Sequence, residues 1–351
     1  MTTKMKMMTS TIAPATWRWT RHDFRAMNTE VAVELFSSQP NHHELLLDVE
    51  RLFTSFERRL SRFNPSSELS QLNACRQPIF AASPTLIDAV EVALWAAAAT
   101  GGVYDPTTLS ALEQAGYDRS FETIDNRSPL TQLPERKVTE HQTSKHRRPA
   151  YTFRSVTVHR ARRKIAKPTG LRLDLGGMGK GWTVDRAADA LQGVGPFLIN
   201  AGGDLFAYSS PPGSRGWPID ISHPLDPEQI IANVDLHHRA LATSTITKRR
   251  WQRDGQTMHH LIDPRTGQPA QTDALSVSVI ADRTVMAEVY AKAALVLGVE
   301  QGLNFLQHLP GIEGFIFAAD STIVQTDGFH YYISKRIGET YDNHDFQTQT
   351  Q

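Results

Sequence analysis

With one cysteine in 351 residues, the chain cannot form an internal disulfide or build a thiolate-rich metal site. Cys75 therefore reads as a small hydrophobe rather than a nucleophile. Neither sign of charge is in excess. The 37 lysines and arginines match 37 aspartates and glutamates, so the chain-wide basic footprint of a nucleic-acid binder is missing. Long hydrophobic runs are missing too: the longest, Val92 to Ala99, has eight residues, far short of the roughly 20 that span a membrane. The N-terminal stretch carries two lysines but no apolar run of signal-peptide length, so a cytoplasmic location is expected. No G-x-S-x-G elbow is present. The pairs His42-His43 and His259-His260 make poor chelates, because adjacent residues on a strand face opposite ways.

What is there is globular in composition, 40% hydrophobic and 21% charged, and long enough for one large domain or two modest ones. Order is expected from 17 to 335, between unstructured ends at 1–16 and 336–351. Alternation around Val31, Val33 and Leu35 predicts a strand within Trp17 to Phe36. Apolar residues at three- and four-residue steps from Leu45 to Leu60 predict a helix over about His43 to Leu60. A second helix follows Ser83, with Pro84 in its first turn and Gly101 closing it. From Asp118 to about Lys167 the chain is polar, with three prolines and a basic cluster. It reads as an insertion, mobile over about 118–150, around one short strand from Ser155 to His159.

Beyond it the pattern tightens. Short strands are expected at Leu171 to Leu175, Phe197 to Asn200, Asp204 to Tyr208, Ile219 to Ser222, Asn233 to Leu236 and Ala240 to Ser244. Two more are expected at His259 to Ile262 and Ala274 to Ile280. Helices are expected at Trp182 to Leu191 and Thr284 to Leu297, and a terminal hairpin should turn near Asp320. Strand runs mixed with helices, without regular alternation, predict an α+β fold.

Three stretches carry candidate chemistry. Asp174-Leu-Gly-Gly-Met-Gly-Lys-Gly181 lies between a predicted strand and helix. Its glycines let backbone N–H groups converge on a phosphate, and Lys180 adds a full charge. The spacing matches neither the P-loop nor the dinucleotide fingerprint, so a tight structural turn is the competing reading. Asn200-Ala-Gly-Gly-Asp204 is a second glycine pair, which suits a hairpin turn equally well. His259-His260-Leu-Ile-Asp-Pro-Arg-Thr-Gly267 ends a strand in a turn. There Asp263 either braces the loop or joins His260 in proton transfer.

Taken in order, eight segments resemble the FAD:protein FMN transferases, also called ApbE-like proteins. They are AMNT (26–29), SRFNPSSELSQLN (61–73), YDPT (104–107), DLGGMGKGWTVDR (174–186), NAGGD (200–204), ALATST (240–245), HLIDPRTGQP (260–269) and AEVYAKAALVLG (287–298). The resemblance implies a T-fold-related α+β domain, with mixed sheets, packed helices and an FAD cleft between its halves. It implies FAD as substrate, magnesium at the pyrophosphate, and an acceptor flavoprotein whose threonine or serine takes FMN while AMP leaves. By the same resemblance, His260, Lys180 and Asp263 are the catalytic candidates. Met27, Phe63, Glu68 and Asp105 match the flavin side, and Gly176, Gly177, Lys180, Gly203, Asp204, Thr243 and Ser244 match the nucleotide side.

The metal positions depart from the family pattern. Members usually read A-D-A-L-A-T on the metal helix, whereas this chain reads Ala287-Glu-Val-Tyr-Ala-Lys292. Glu288 thus stands for the aspartate and Lys292 for the threonine, while Gly179 supplies the third ligand through its carbonyl. An ammonium cannot ligate magnesium. Four residues apart on a helix, Glu288 and Lys292 also fit a plain exposed ion pair. Three activities remain open on the sequence: FMN transfer, FAD binding without turnover, and FAD hydrolysis to FMN and AMP.

Overall fold

The computed structural model describes residues 16–125, 127, 130 and 151–334. The ends expected to be unstructured lie outside these residues, apart from residue 16, as do positions 131–150 of the expected insertion.

The chain opens with a hairpin, β1 (Arg18–Ala26) and β2 (Thr29–Ser37), rather than the single strand expected there. Its two-residue turn is Met27-Asn28, with φ of 52° and 60°, the conformation that matches strand twist in tight hairpins. Helices α1 (His42–Leu60) and α2 (Glu68–Ala74) follow, then β3 (Ile79–Ala81), α3 (Pro84–Ala99) and α4 (Leu109–Gln114). As expected, Ser83 caps α3, its hydroxyl accepting from the Leu86 N–H. Strands β4 (Thr157–His159) and β5 (Lys164–Ala166) join β3 in a small sheet. The stretch from Leu171 to Leu175 is extended but pairs with no strand, and α5 (Gly179–Leu191) begins inside the glycine-rich turn.

The rest of the chain alternates ribbons with sheet strands. Hairpin β6 (Phe197–Ala201) and β7 (Asp204–Tyr208) leads into ribbon β8 (Trp217–Ser222) and β9 (Ile230–Leu236), then β10 (Arg239–Thr245). The expected strand at His259 to Ile262 is split between two small ribbons. One is β11 (Arg250–Arg253) with β12 (Gln256–His259), the other β13 (Ile262–Asp263) with β14 (Gln268–Pro269). Strand β15 (Ala274–Ala281), helices α6 (Thr284–Leu297) and α7 (Val299–Gln307), and hairpin β16 (Glu313–Ala318) with β17 (Ile323–Gln325) complete the fold.

One eight-stranded sheet organises the molecule, in the order β1-β2-β6-β7-β10-β15-β16-β17, and every neighbouring pair is antiparallel. Both of its faces are covered at the centre. Ala240, Ala242, Val277 and Val279 pack into the main core with α5 and α6, while Leu241 and Ile280 turn to the β8–β9 ribbon. That is why all eight residues of β15 are buried, including the alternating Ser276 and Ser278. A second core lies on the far side of the helices, built by α3, the small sheet and the Leu171–Leu175 stretch. Helix α6 contributes to both cores, Ala287, Tyr290 and Ala294 to one, Val285 and Val289 to the other. A helix enclosed on both sides reads mostly apolar, as α6 does apart from Glu288 and Lys292.

The first part of the expected insertion belongs to the fold. Ile124 packs with Leu112, Tyr117 and Trp251, and the Leu130 N–H donates to the Thr247 carbonyl. Among the described residues no helix is long and apolar enough to cross a membrane.

Candidate functional site

A cleft of ≈ 1010 Å³ opens where the β2–β6–β7–β10 part of the sheet meets the start of α5 and the side of α6. That is the upper end of the about 300–1,000 Å³ usual for small-molecule sites. Of the residues singled out from the sequence, Met27, Phe63, Asp105, Gly176, Gly177, Gly179, Lys180, Gly203, Asp204, Thr243, Ser244, His260 and Lys292 line it. Segments as distant as Met27 and Lys292 converge because the sheet order brings the β1–β2 turn beside the β6–β7 turn. Helix α5 points its N-terminus at the cleft, with Met178, Gly179 and Lys180 on the wall, so its positive end faces any bound anion. Two glycines here are fixed by close approach. A Cβ on Gly177 would lie 2.7 Å from the Tyr104 ring, and one on Gly181 would lie 2.8 Å from the Thr284 backbone.

A four-membered charge cluster forms one end of the cleft. Lys180 pairs with Asp204, and its Nζ lies 2.9 Å from Glu288 Oε1. Lys292 Nζ lies 3.0 Å from the same oxygen, while the Gly181 N–H donates to Glu288 Oε2 at 2.8 Å. The Glu288 side chain is fully buried and those of Lys180 and Lys292 are 19% and 15% exposed, so this is no surface pair. The expectation of an exposed helix ion pair fails because α6 is enclosed by both cores. Burial alone would raise the Glu288 pKa, but the two ammonium groups and the Gly181 N–H pull it down to about 2. Burial likewise opposes the Lys180 charge, yet Asp204 and Glu288 hold its pKa above the ordinary lysine value. For Lys292, burial and the Lys180 charge outweigh the pull of Glu288, and the pKa falls below the ordinary value.

His260 stands on the same cleft. Burial, then the charge of Arg249 and the neighbouring His259 and Lys292, push its pKa well below 6.5, so the ring is neutral at pH 7. Its Nδ1 is shut off from solvent with no hydrogen-bond partner. His259 points the other way, into the fold. There Nε2 meets the Ala270 carbonyl at 2.9 Å, and burial lowers the pKa to about 4.

The opposite end of the cleft is aromatic. The Arg62 guanidinium lies 4.1 Å from the centroid of the Phe63 ring and 4.6 Å from that of Tyr117, which in turn packs on Trp251. Arg62 also donates to the Tyr117 carbonyl at 2.9 Å and lies 3.5 Å from Asp174. Phe63 is 41% exposed, which leaves a ring free to stack on a planar ligand. The Tyr104 hydroxyl is buried without a partner, and burial pushes the phenol well above its usual range, so it remains a donor. Arg62, Tyr104 and Arg249 are cleft residues that the sequence reading passed over. The first two lie inside segments already quoted, and Arg249 sits in a Lys-Arg-Arg run after β10.

Two expected site residues are placed elsewhere. Glu68 accepts from the N–H of Ser83 at 2.6 Å and bonds the Ser83 hydroxyl, so it ties α2 to the start of α3 and does not line the cleft. Asp263 takes a two-pronged bond from Arg265 and accepts the Arg265 N–H, bracing the turn that carries His260. Its carboxylate is engaged by that loop, and Asp263 does not line the cleft. Asp105 has a double role: it lines the cleft and also caps the 3-10 turn at Pro106–Thr108. The Thr243 hydroxyl is already shared with Ser278 at 2.8 Å.

The residues at the magnesium position do not fit a divalent ion. Both Glu288 oxygens are engaged by cationic or N–H donors, the Gly179 carbonyl accepts the Thr183 hydroxyl at 2.7 Å, and an ammonium occupies the third place. Among the described residues, no group of three or more His, Cys, Asp or Glu side chains is placed to hold a metal. Magnesium requires several hard oxygen ligands.

A mixed α+β domain with a cleft between a sheet and two helices is the fold seen in solved ApbE structures. The solved ApbE protein of Thermotoga maritima superposes with a TM-score of 0.77 at 22% identity, covering 91% of this chain and all of that one. A Vibrio cholerae structure described as a flavin transferase gives a TM-score of 0.72, also at 22% identity, over 90% of this chain and all of that one. The ApbE family profile matches residues 27–316, and the chain belongs to that family. A Treponema pallidum protein named FAD:protein FMN transferase is 28% identical over 324 residues, which is 86% of this chain and 85% of that protein. The Escherichia coli protein of the same name is 31% identical over 134 residues, which is 37% of this chain and 38% of that one.

Proposed function

We propose that this chain is an FAD:protein FMN transferase. It takes FAD as substrate and an acceptor flavoprotein bearing an exposed threonine or serine as partner. The acceptor hydroxyl oxygen attacks the phosphorus on the riboflavin side of the pyrophosphate. A new phosphoester bond forms, the bond to the bridging oxygen breaks, and AMP leaves with that oxygen. The neutral His260 takes the hydroxyl proton. Lys180, beside the positive end of α5, offsets charge on the phosphate oxygens. Met27 and Phe63 face the flavin ring and Tyr104 offers its free hydroxyl, while Gly176, Gly177, Gly203, Asp204, Thr243 and Ser244 border the nucleotide. Asp263 acts through the loop it braces, by fixing where His260 stands.

The observation that carries this reading is a neutral His260 and a charged Lys180 facing one cleft of FAD-compatible size. Incubation with FAD and a candidate acceptor, followed by intact mass, tests it. Gain of one FMN on the acceptor, matched by AMP release, is the expected result. FMN and AMP appearing free in solution would make the chain a hydrolase. FAD bound and returned unchanged would make it a carrier.

A further inference from the structure

The charge cluster at the end of the cleft pairs two ammonium groups with two carboxylates, and its ammonium groups carry more N–H donors than those carboxylates engage. An ammonium has three donors. Lys180 directs two of its donors at Asp204 and Glu288, and Lys292 directs one at Glu288, so N–H groups remain on both lysines. Both side chains line the cleft, so these remaining donors adjoin the space in which a ligand would lie. Glu288 has no spare oxygen for a ligand or ion. Its Oε1 serves both lysines and its Oε2 the Gly181 N–H.

We infer that the Lys292 ammonium is the fixed cation of this site, binding a pyrophosphate oxygen directly where a divalent ion does not fit. The spacing of four on α6 sets Lys292 one turn from Glu288, and Glu288 anchors the ammonium from behind. Lysine serves phosphates elsewhere as a point charge, with no demand on ligand number or geometry. The side chain that carries this charge is part of the chain itself, so the site needs no free ion to be complete. In relation to the phosphate, Lys180 and Lys292 then act as two separate positive charges held by shared carboxylates.

This inference rests on the proposal that the cleft binds FAD, but its test does not rest on transfer. Calorimetric titration of the full chain with FAD, in EDTA and then in magnesium, gives the primary readout. Equal affinity in the two conditions is expected. Affinity that collapses in EDTA and returns with magnesium would overturn the inference. Lys292→Met should weaken FAD by roughly tenfold or more, the size of one charge-assisted hydrogen bond, while leaving riboflavin, which lacks phosphate, unchanged. Lys292→Arg, which keeps the charge, should retain metal-independent FAD binding and guards against a folding defect in the methionine variant. Unchanged FAD affinity in a folded Lys292→Met protein would also defeat the inference. Metal-independent binding without FMN transfer to any acceptor would leave the ammonium role standing and remove the transferase reading.

Discussion

The two ends of the cleft are built on opposite principles. At the phosphate end, four charged side chains are buried together and each holds another in place. At the ring end, Arg62 and Tyr117 are buried beneath a Phe63 ring that is itself open to solvent. A buried charge is costly unless every partner is present, whereas a stacked ring loses only its own contact area when removed. The phosphate end is therefore brittle and specific, while the exposed Phe63 ring at the other end is tolerant of change.

The largest effect that would break or support this contrast is expected from Glu288→Ala. It leaves two ammonium groups and the Gly181 N–H without their shared carboxylate, and should cost about 3–5 kcal/mol of stability. Urea unfolding measures it, and a loss below about 1 kcal/mol would mean the cluster is loosely solvated. Next comes Lys180→Met, expected to lower turnover by roughly 10²–10³-fold, as removal of one charge-stabilising group does. Single-turnover assays at a temperature where the variant stays folded separate this from its stability cost. A fall in turnover no larger than the fall in folded fraction would assign Lys180 to structure alone.

The histidine pair provides a third test, in pH. His259 titrates near 4 in the folded protein and near 6.5 when unfolded, so the unfolded chain takes up a proton first as pH falls. The stability due to its burial is whole above about pH 6.5 and should drop by about 2 kcal/mol by pH 5. His260 shifts in the same direction and adds to the loss. Melting temperatures across that window in wild type and His259→Gln check it, and parallel curves would show that the ring is not the source. The same depressed pKa places the acid limb of kcat/KM below pH 6.5. The smallest effect belongs to the ring end. Phe63→Ala should weaken FAD by about 1 kcal/mol, with stability within about 0.5 kcal/mol of wild type. A loss in FAD affinity as large as that of Lys292→Met would erase the contrast.

Much of this architecture was readable before the fold was known. Helix α6 and strand β15 were legible because burial on both sides leaves them mostly apolar, and α3 because Ser83 and Pro84 mark its start. The hairpin at Met27-Asn28 was not, since nothing in that pair announces two positive φ values as Asn-Gly does. Leu171 to Leu175 has the composition of a strand but meets no partner edge, and pairing is a tertiary event. Helix α5 starts three residues early, at Gly179, and its Gly181 fits where the start of α6 approaches closely. At the site, order along the chain picked out residues from both glycine turns and from the His260 strand end that line the cleft. It could not show that Glu68 and Asp263 spend their oxygens on local N–H groups, nor that a helix-surface pair on paper lies in the interior.

Helix α6, shared by two cores, also governs the time course of the site. Its amides, and the Gly181 amide bonded to Glu288, can meet solvent only when one core or the other comes apart. Deuterium should therefore enter these positions at the rate of global unfolding, while the Phe63 loop exchanges through small local openings. On the proposed function, a nucleotide arriving in the cleft would find its phosphate wall already set by α6.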